Sequence, residues 1–355
     1  LLPSGARRGW EASEMTAAAA QVATTPAQPP KVKRSLIPEQ WQAPLMLAPS
    51  LIALFIFVYG FIGMTVWISM SNWKSAIRDL SLRQPLYAVY QRLFDTPRFQ
   101  TDLRNTIVFT VLFLLVTVVV GMGLAIVLDQ HFIGRPILRF VFMFPYALSF
   151  IVTGVAWRWI FNPETGINLL IDKLGINTVL GWFGLGPFHP MWLTNPEVWG
   201  DLRNQMPFLS GLLTKVGIPL AMIPVVIAAV WQLSGFAMAM YLAGLGTISN
   251  DVREAAALDG ASTWQMYRQV IIPLLKPVTV SVLIILTHVS LKIFDLIFAM
   301  SGSGPGFATD VPGIFVYEQT FRATRYDLGA AASIVMLVMV AFVIVPYLAR
   351  SLKEQ

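Results

Sequence analysis

Six long apolar segments constrain the fold of this chain more than any other feature of its sequence. A helix needs about 20 apolar residues to cross the hydrocarbon layer of a bilayer. The segments of that length are Leu45–Met70, Thr106–Leu128, Phe140–Phe161, Gly217–Leu245, Pro277–Met300 and Ala331–Ala349. Between them no polar and apolar alternation is long enough for a barrel, and in lipid only helices and closed barrels satisfy the backbone. The sequence therefore predicts an all-α membrane protein with six transmembrane helices.

Composition and charge exclude several other classes. Of the 355 residues, 56% are hydrophobic and 12% are charged, against about 25% charged in an ordinary soluble domain. The formal charge of +6 comes from sparse charges between apolar segments, which argues against a nucleic-acid partner. The chain has no Cys, so disulfides and thiolate chemistry are excluded. Its three histidines, His131, His189 and His288, lie far apart in sequence, so no metal site is expected.

The terminal regions predict how the chain is organised and oriented. Residues 1–44 resemble a disordered cytoplasmic tail, residues 45–350 form the six-helix transmembrane domain, and residues 351–355 form a second short cytoplasmic tail. No signal peptide is expected, and Met15 is a candidate translation start. A basic stretch before the first apolar segment, together with an even number of helices, predicts that both termini are cytoplasmic. The basic residues are Lys31, Lys33 and Arg34.

The 249–273 segment, between the fourth and fifth apolar segments, carries the strongest local pattern. Two pairs spaced like capping boxes predict two short helices; the pairs are Asp251 with Glu254 and Ser262 with Gln265. Gly260 supplies a left-handed residue that ends the first helix, and Pro273 breaks the second helix before the fifth transmembrane helix. A loop that only connects two membrane helices remains an alternative, because capping boxes are common.

The order of residues in this segment resembles the signature loop of ABC importer permeases. In that family, Glu-Ala-Ala is followed after three residues by Gly and later by Ile-x-Leu-Pro; here Val270 and Ile272 replace the Ile and the Leu. The resemblance implies a coupling helix over residues 251–266 that docks on a cytoplasmic ATPase and transmits ATP-driven closure. The residues that it assigns to coupling are Glu254, Ala255, Ala256, Asp259, Gly260, Ala261 and Pro273.

Other stretches extend the resemblance over residues 40–350. They are similar to the carbohydrate-uptake branch, and within it to the larger subunit of maltose permeases; the stretches are Asn105–Thr106, Phe144–Tyr146, Trp159–Gly166, Phe294–Leu296 and Gly302–Gly306. A second set is most similar to glucose/mannose-type permeases, and comprises Lys292–Leu296, Gly304–Pro312 and Gly329–Ala332. The expected substrate is a glucose/mannose-type monosaccharide, or a small oligosaccharide such as trehalose or maltose.

The resemblance also implies the assembly and its location. The chain would form half of a translocation path in a bacterial or archaeal cytoplasmic membrane, beside a second homologous permease, an ABC ATPase dimer and an extracytoplasmic substrate-binding protein. No Gly is followed by Lys, so the chain lacks a phosphate-binding P-loop. We therefore expect ATP and Mg to be bound by the ATPase, and no cofactor and no enzymatic activity in this chain.

Polar and aromatic residues of the fourth and fifth segments are candidates for the substrate path. They are Trp231, Gln232, Ser234, Phe236, Thr287, His288, Lys292 and Asp295. Amide and hydroxyl groups suit a sugar but also link membrane helices. The last three residues are spaced by four and three, which predicts one helical stripe. That stripe supports an alternative function, an ion-coupled secondary transporter, although Lys292 and Asp295 could simply neutralise each other.

Two further features leave alternatives open. Pro219 and Pro224 predict a bend in the fourth helix. The 162–216 segment is long for a loop and contains Trp182, Trp192 and Trp199. Either it caps the outer mouth and contacts a substrate-binding protein, or it forms a short interfacial helix near Phe208–Thr214. A membrane-embedded enzyme is not favoured, because no nucleophile, base or metal set converges.

Overall fold

The computed structural model of the protein describes residues 38–130, 132–204, 206 and 210–351. Most of the predicted N-terminal tail, residues 1–37, lies outside the described residues, as do residues 352–355 and part of the predicted interfacial helix near Phe208. The chain divides into two units, residues 1–60 and 61–355. In the described part of the first unit, helix α1 (Glu39–Leu54) is followed directly by a π-helical stretch, Phe55–Gly60.

Helices make up nearly all of the regular structure in the second unit. They are α2 (Phe61–Ser69), α3 (Ala88–Phe94), α4 (Pro97–Asp129), α5 (Arg135–Met143), α6 (Phe150–Ile160), α7 (Ile167–Lys173), α8 (Ile176–Trp182), α9 (Met222–Leu245), α10 (Asn250–Leu258), α11 (Thr263–Met266), α12 (Ile272–Leu274), α13 (Lys276–Leu291), α14 (Asp295–Met300), α15 (Pro312–Tyr317) and α16 (Tyr326–Ser351). Short 3-10 helices lie at Phe144–Ala147, Trp192–Thr194, Leu202–Asn204 and Pro305–Phe307, and π-helical turns at Tyr267–Ile271 and Glu318–Arg322. Strands β1 (Val198–Trp199) and β2 (Ile218–Pro219) pair antiparallel.

Within the described residues, four helices are long and apolar enough to cross a membrane, or six if each of two bent pairs is one span. The four are Pro44–Ser69, Pro97–Asp129, Met222–Leu245 and Tyr326–Tyr347; the bent pairs are Arg135–Ala147 with Phe150–Ile160, and Thr263–Leu274 with Lys276–Leu291. Each predicted apolar segment overlaps one of these helices or pairs, but only four are single long helices, and the fifth segment continues past Leu291 over a helix break.

The third predicted helix is wrong as a continuous span. The chain bends by 101° between Arg135–Ala147 and Phe150–Ile160. Pro145 lies in the 3-10 turn, where it has no amide hydrogen to donate. Ser149 then starts α6 afresh, since its hydroxyl accepts a hydrogen bond from Val152 N at 3.3 Å. Periodicity alone gave no sign of this bend.

The fourth predicted helix begins later than expected, and its predicted proline bend is not formed. Pro219 lies in β2, opposite Val198. Pro224 is the third residue of α9, in the first turn, where a missing amide hydrogen leaves no helical bond unmade. Neither proline therefore interrupts the hydrogen bonds of α9.

The core of the second unit forms where α4 and α9 pack together. Most of α9 is buried, and its side chains contact the buried aromatic residues Phe109 and Phe113 of α4. A Cβ on Gly121 of α4 would stand 2.5 Å from that of Ala237, so only glycine permits this close approach. Helix α9, which carries four of the substrate-path candidates, is therefore in direct contact with α4.

Candidate functional site

The 249–273 segment forms a helical hairpin whose turn matches the sequence expectation. Gly260 has φ +78°. Its amide donates to Ala257 O at 3.0 Å, and Ala261 N donates to Ala256 O at 3.0 Å. These two bonds form a Schellman motif, which satisfies carbonyl groups at the end of a helix. The predicted termination of the first helix by Gly260 is thus confirmed.

The start of α11 is also as predicted. The Ser262 side chain accepts a hydrogen bond from Gln265 N at 3.3 Å, and Ser262 N donates to Gln265 Oε1 at 2.8 Å. This reciprocal pair is a complete capping box. The first predicted box is wrong, because Ser249 rather than Asp251 is the N-cap of α10, without a side-chain bond. Asp251 lies in the first turn, where a carboxylate still interacts favourably with the helix dipole.

Pro273 does not break the chain where it was predicted to. It lies within α12, and the bend of 63° falls at Leu275. The turn Tyr267–Ile271 is π-helical, so Ile272 N bonds Tyr267 O rather than the usual carbonyl one residue later. This wider turn accommodates a proline that cannot donate to an i−4 carbonyl. The segment stays helical up to the start of α13.

The tip of the hairpin exposes two large apolar side chains that the sequence motif did not single out. Leu258 is 89% exposed and Trp264 is 69% exposed. Among the residues assigned by resemblance, Glu254, Ala255 and Asp259 are exposed beside them, whereas Ala256 is buried within the hairpin. Exposed apolar residues that lie together mark an interaction site, and aromatic residues are enriched in such sites. We call the exposed set Glu254, Leu258, Asp259 and Trp264 the tip surface.

One ion pair joins the hairpin to the end of α4. Arg253 Nη1 lies 2.9 Å from Asp129 Oδ2, and the Tyr267 hydroxyl lies 3.3 Å from the same oxygen. Burial lowers the pKa of Arg253, but the hydrogen bond and charge of Asp129 outweigh it and raise the pKa above its ordinary value. Asp129 is the last residue of the 33-residue helix α4. It thus contacts both arms of the hairpin, through Arg253 and Tyr267.

The α9 candidates have separate environments. Trp231 and Ser234 line an apolar groove of about 740 Å³, where Trp231 contacts Trp157 edge-on at 5.7 Å. Phe236 stacks on Tyr146, with ring centroids 5.4 Å apart. Polar groups are scarce in this groove, so it fits an apolar occupant better than a sugar.

The side chain of Gln232 makes a hydrogen bond to the backbone of another segment. Its side chain is 2% exposed, and Nε2 donates to Leu148 O at 2.8 Å. Leu148 lies at the 101° bend between α5 and α6. The amide therefore stabilises an open carbonyl at a helix break, which is the interhelical role that membrane helices commonly give to such residues.

The predicted stripe of His288, Lys292 and Asp295 is wrong. Helix α13 ends at Leu291, and α14 begins at Asp295. The intervening residue Phe294 has φ −133° and ψ −58°, which is outside the helical region. Three- and four-residue spacing places side chains on one face only if the helix continues. Within the described residues no ion pair joins Lys292 to Asp295, and both are exposed on this chain.

The remaining candidates on α13 are partly buried. The Thr287 hydroxyl donates to Leu283 O at 2.6 Å, within its own helix. His288 Nδ1 is buried and has no hydrogen-bond partner in the part of the chain that the structure describes. The fifth-segment candidates are therefore divided between a partly buried helix and an exposed break after it.

A buried charged cluster at the other end of α4 was not anticipated. Arg98 Nε lies 2.6 Å from Asp310 Oδ2, and Arg98 Nη2 lies 2.7 Å from Glu318 Oε2. Asn105 Nδ2 donates to the backbone oxygens of Phe307 and Asp310, at 2.9 and 2.8 Å. We call Arg98, Asp102, Asn105, Asp310 and Glu318 the Arg98 cluster.

Burial is nearly complete at the centre of this cluster. Asp102 and Asp310 are both fully buried. Burial raises the pKa of the Asp310 carboxyl above its ordinary value, although the hydrogen bond and charge of Arg98 act in the opposite direction. The sequence could not show that the cluster forms, because Arg98, Asp102 and Asn105 lie about 200 residues before Asp310 and Glu318. Only the fold brings them together.

These contacts define two faces of the second unit. The first face contains Asp129 and the 249–273 segment. The opposite face contains the Arg98 cluster and the 162–216 segment, since Arg104 Nη1 of α4 donates to Lys215 O at 2.8 Å. No group of three or more potential metal ligands occurs among the described residues.

Comparisons with known proteins give consistent results. The family profile described as "binding-protein-dependent transport system inner membrane component" matches residues 117–354. A probable ABC transporter permease protein of Pyrococcus horikoshii is 35% identical over 88% of this chain and 96% of its own length. The xylose/arabinose import permease protein XacH of Haloferax volcanii is 31% identical over 84% of each chain. The trehalose/maltose transport system permease protein MalF of Thermococcus litoralis is 28% identical over 86% of this chain and 91% of its own.

A solved structure shares the fold. It is that of a bacterial ABC transporter involved in the import of the acidic polysaccharide alginate. The match has a TM-score of 0.64 at 23% identity, and covers 88% of this chain and 96% of the other. A second structure of a bacterial alginate ABC transporter, in complex with an alginate pentasaccharide-bound periplasmic protein, matches with a TM-score of 0.62 at 22% identity.

Proposed function

Because the chain belongs to the family of binding-protein-dependent transport system inner membrane components, we propose that its 249–273 segment is the docking site for a separate ATPase. The chain is a multi-pass membrane permease of the ABC carbohydrate importers. In the proposed assembly this segment and both termini are cytoplasmic, each bent helix pair is one span, and ATP and Mg are bound by the ATPase.

The observation that carries the proposal is the tip surface. Leu258 and Trp264 are exposed on helices whose ends are fixed by a Schellman motif and a capping box. Large apolar side chains on a rigid support are the usual anchors of a protein interface. Glu254 and Asp259 add negative charge at the rim, which favours a partner with a basic groove.

The ion pair at Asp129 provides a route from the docking site into the membrane. A movement of α10 acts on Asp129 through Arg253 at 2.9 Å. Helix α4 continues without interruption from Asp129 back to Pro97, so it transmits displacement as a rigid element. In this proposal ATP-driven closure of the ATPase shifts the hairpin and α4 together, and the path alternates between its two openings.

A second homologous permease completes the proposed path. Lys292 and Asp295 are exposed on the isolated chain, at a break within the fifth apolar segment. Charged groups at such positions in a membrane protein need a partner or a water-filled cavity. We propose that this break faces the second permease or the path between the two subunits. The ion-coupled alternative is not favoured, since the broken helix removes the continuous stripe on which it rested.

The proposed substrate is a monosaccharide or small oligosaccharide delivered by an extracytoplasmic binding protein. Relatives of similar identity are named for different cargo, including xylose/arabinose, trehalose/maltose and sulfoquinovosyl glycerol. Glucose/mannose-type sugars remain our first candidates, with trehalose and maltose next. In this proposal part of the 162–216 segment contacts the binding protein; the alginate transporter has been solved in complex with a periplasmic protein.

The test is ATP hydrolysis and sugar uptake by the assembled complex in liposomes, with its binding protein and a panel of glucose, mannose, xylose, trehalose and maltose. We expect one sugar to stimulate hydrolysis, and the double variant Leu258→Ser, Trp264→Ser to remove the stimulation. The matched control is Ile77→Ser, which replaces an 81% exposed apolar residue outside the 249–273 segment. Equal activity of both variants would overturn the docking proposal, and uptake that needs a proton gradient but no ATP would overturn the importer.

A further inference from the structure

The α7–α8 hairpin, defined here as residues 167–188, has an unusual distribution of side chains. Large apolar residues project outward from both helices and from the turn after α8. The most exposed are Leu170 (58%), Leu174 (75%), Trp182 (80%), Phe183 (77%) and Leu185 (58%). In a helix that borders water, such residues face the core and polar residues face outward.

The two asparagines of the hairpin are hydrogen-bonded within residues 163–192. Asn168 is 3% exposed, donates to Pro163 O and Pro190 O, and accepts a hydrogen bond from Trp192 Nε1 at 2.8 Å. Asn177 Nδ2 donates to Asp172 Oδ1 at 2.6 Å, and Asn177 Oδ1 accepts from Phe188 N at 2.8 Å. The side chains of both asparagines are thus satisfied within the segment. The exposed polar side chains of residues 167–188 are Asp172, Lys173 and Thr178, which are few beside the exposed apolar ones.

The hairpin is held close to the end of a membrane helix. Phe161, one residue beyond α6, is 2% exposed; its ring lies 5.2 Å from that of Trp157 and 4.9 Å from that of Trp192. Trp192 in turn bonds Asn168. Between Ile160 and Ile167 the chain folds back, since Gly166 N donates to Asn162 O at 2.9 Å. Even fully extended, these seven residues would reach only about 23 Å.

Charge separates this surface from the tip surface on the opposite face. Residues 167–188 contain only two charged residues, Asp172 and Lys173. At the tip surface, by contrast, the exposed apolar pair is accompanied by two exposed acidic residues, Glu254 and Asp259. An apolar helix edge with Trp and Phe, adjacent to the end of a spanning helix and flanked by one acidic and one basic residue, fits the interfacial layer of a bilayer.

We propose that the α7–α8 hairpin is a membrane-interface anchor, which inserts its outward apolar edge among the lipid headgroups and upper acyl chains on the face opposite the 249–273 segment. Trp182 and Phe183 lie at headgroup level, and Leu170 and Leu174 contact the acyl chains. This continues the exposed apolar surface of α6, where Val152, Val155 and Trp159 also face outward.

The absence of Cys from the chain makes a depth measurement direct. Single variants Leu174→Cys and Trp182→Cys carry a nitroxide label in phosphatidylcholine/phosphatidylglycerol vesicles, with Leu170→Cys as a second site if one variant fails to fold. Electron paramagnetic resonance compares collision with oxygen, which concentrates in lipid, and with a water-soluble nickel chelate. The matched control is Glu197→Cys, an exposed polar position of the same segment.

The expected result is a several-fold higher ratio of oxygen to nickel accessibility at residues 174 and 182 than at residue 197. Three results would overturn the proposal: nickel access at 174 and 182 equal to that at 197, low access for both reagents because protein covers the labels, or lipid-like values that appear only after the binding protein is added. The measurement does not depend on transport, so a wrong substrate or ATPase assignment leaves it interpretable.

Discussion

The two ends of α4 are fixed in different ways. At Asp129 a single ion pair of 2.9 Å holds the 249–273 hairpin, and its side chains are 17% and 24% exposed. At the other end Arg98 makes two ion pairs, one with the fully buried Asp310 and one with Glu318, and Asn105 donates a hydrogen bond to Asp310 O. About 50 Å of continuous helix lies between them. We infer that the Arg98 end of α4 is permanently held. The ion pair at the Asp129 end is a contact that can form and break when a docking partner binds.

The largest expected effect comes from removing the buried cation. Arg98→Ala leaves Asp310 and Asp102 buried without a compensating charge, and losing one partner of a buried pair costs about 3–5 kcal/mol. We expect a large fall in the midpoint of thermal unfolding and in the yield of monodisperse protein. The control is Arg322→Ala, because Arg322 is 64% exposed and lies 3.8 Å from Glu318. Similar losses of thermal stability in Arg98→Ala and Arg322→Ala would mean that the buried ion pairs do not stabilise this end of α4 more than an exposed pair does.

Gly260→Ala is expected to have an intermediate effect on thermal stability. A side chain at φ +78° is strained by about 1–2 kcal/mol, although nothing lies within 4 Å of the added Cβ. Gly184→Ala is the matched control on the opposite face, with φ +71° and equally open space. We expect similar small losses of thermal stability, but a loss of substrate-stimulated ATP hydrolysis only for Gly260→Ala. Equal hydrolysis by the two variants would count against a role for the hairpin geometry.

Arg253→Ala has the smallest expected effect on stability and tests transmission directly. A partly exposed pair contributes roughly 0–1 kcal/mol, so thermal unfolding should change little. Loss of the connection to Asp129 should nevertheless lower stimulated ATP hydrolysis several-fold while the ATPase still copurifies. Arg268→Ala, at an exposed position on the same segment, is the control. If stimulation is unchanged in Arg253→Ala, force reaches the membrane helices by another route.

Local patterns were predictable where the cause is local. Gly260 and the Ser262 box follow from neighbours within a few residues, and apolar length identified the membrane segments. Asp251 was predicted as the N-cap of α10 instead of Ser249, because both Asp and Ser cap helices. The 101° bend at Leu148 was missed because apolar length and periodicity do not register a helix break, although Pro145 and Ser149 lie beside it. The hydrogen bond from Gln232 to Leu148 O could not be predicted, since it joins positions 84 residues apart.

The candidate site was predictable only in part, for the same reason. Spacing placed His288, Lys292 and Asp295 on one stripe, but the chain leaves the helix after Leu291. The Arg98 cluster joins side chains separated by 212 residues at its shortest ion pair. Periodicity and motifs describe neighbours along the chain, so contacts made by tertiary packing lie beyond them.

The central claim, that the tip surface docks on the ATPase, is tested most directly by photo-crosslinking. In the chain without cysteines, Leu258→Cys is labelled with a benzophenone maleimide and illuminated in the assembled complex, with Ile77→Cys as the control. The proposal predicts a crosslink to the ATPase from residue 258 and none from residue 77. A complex that remains intact and active, yet gives no crosslink from residue 258 to the ATPase, would contradict it.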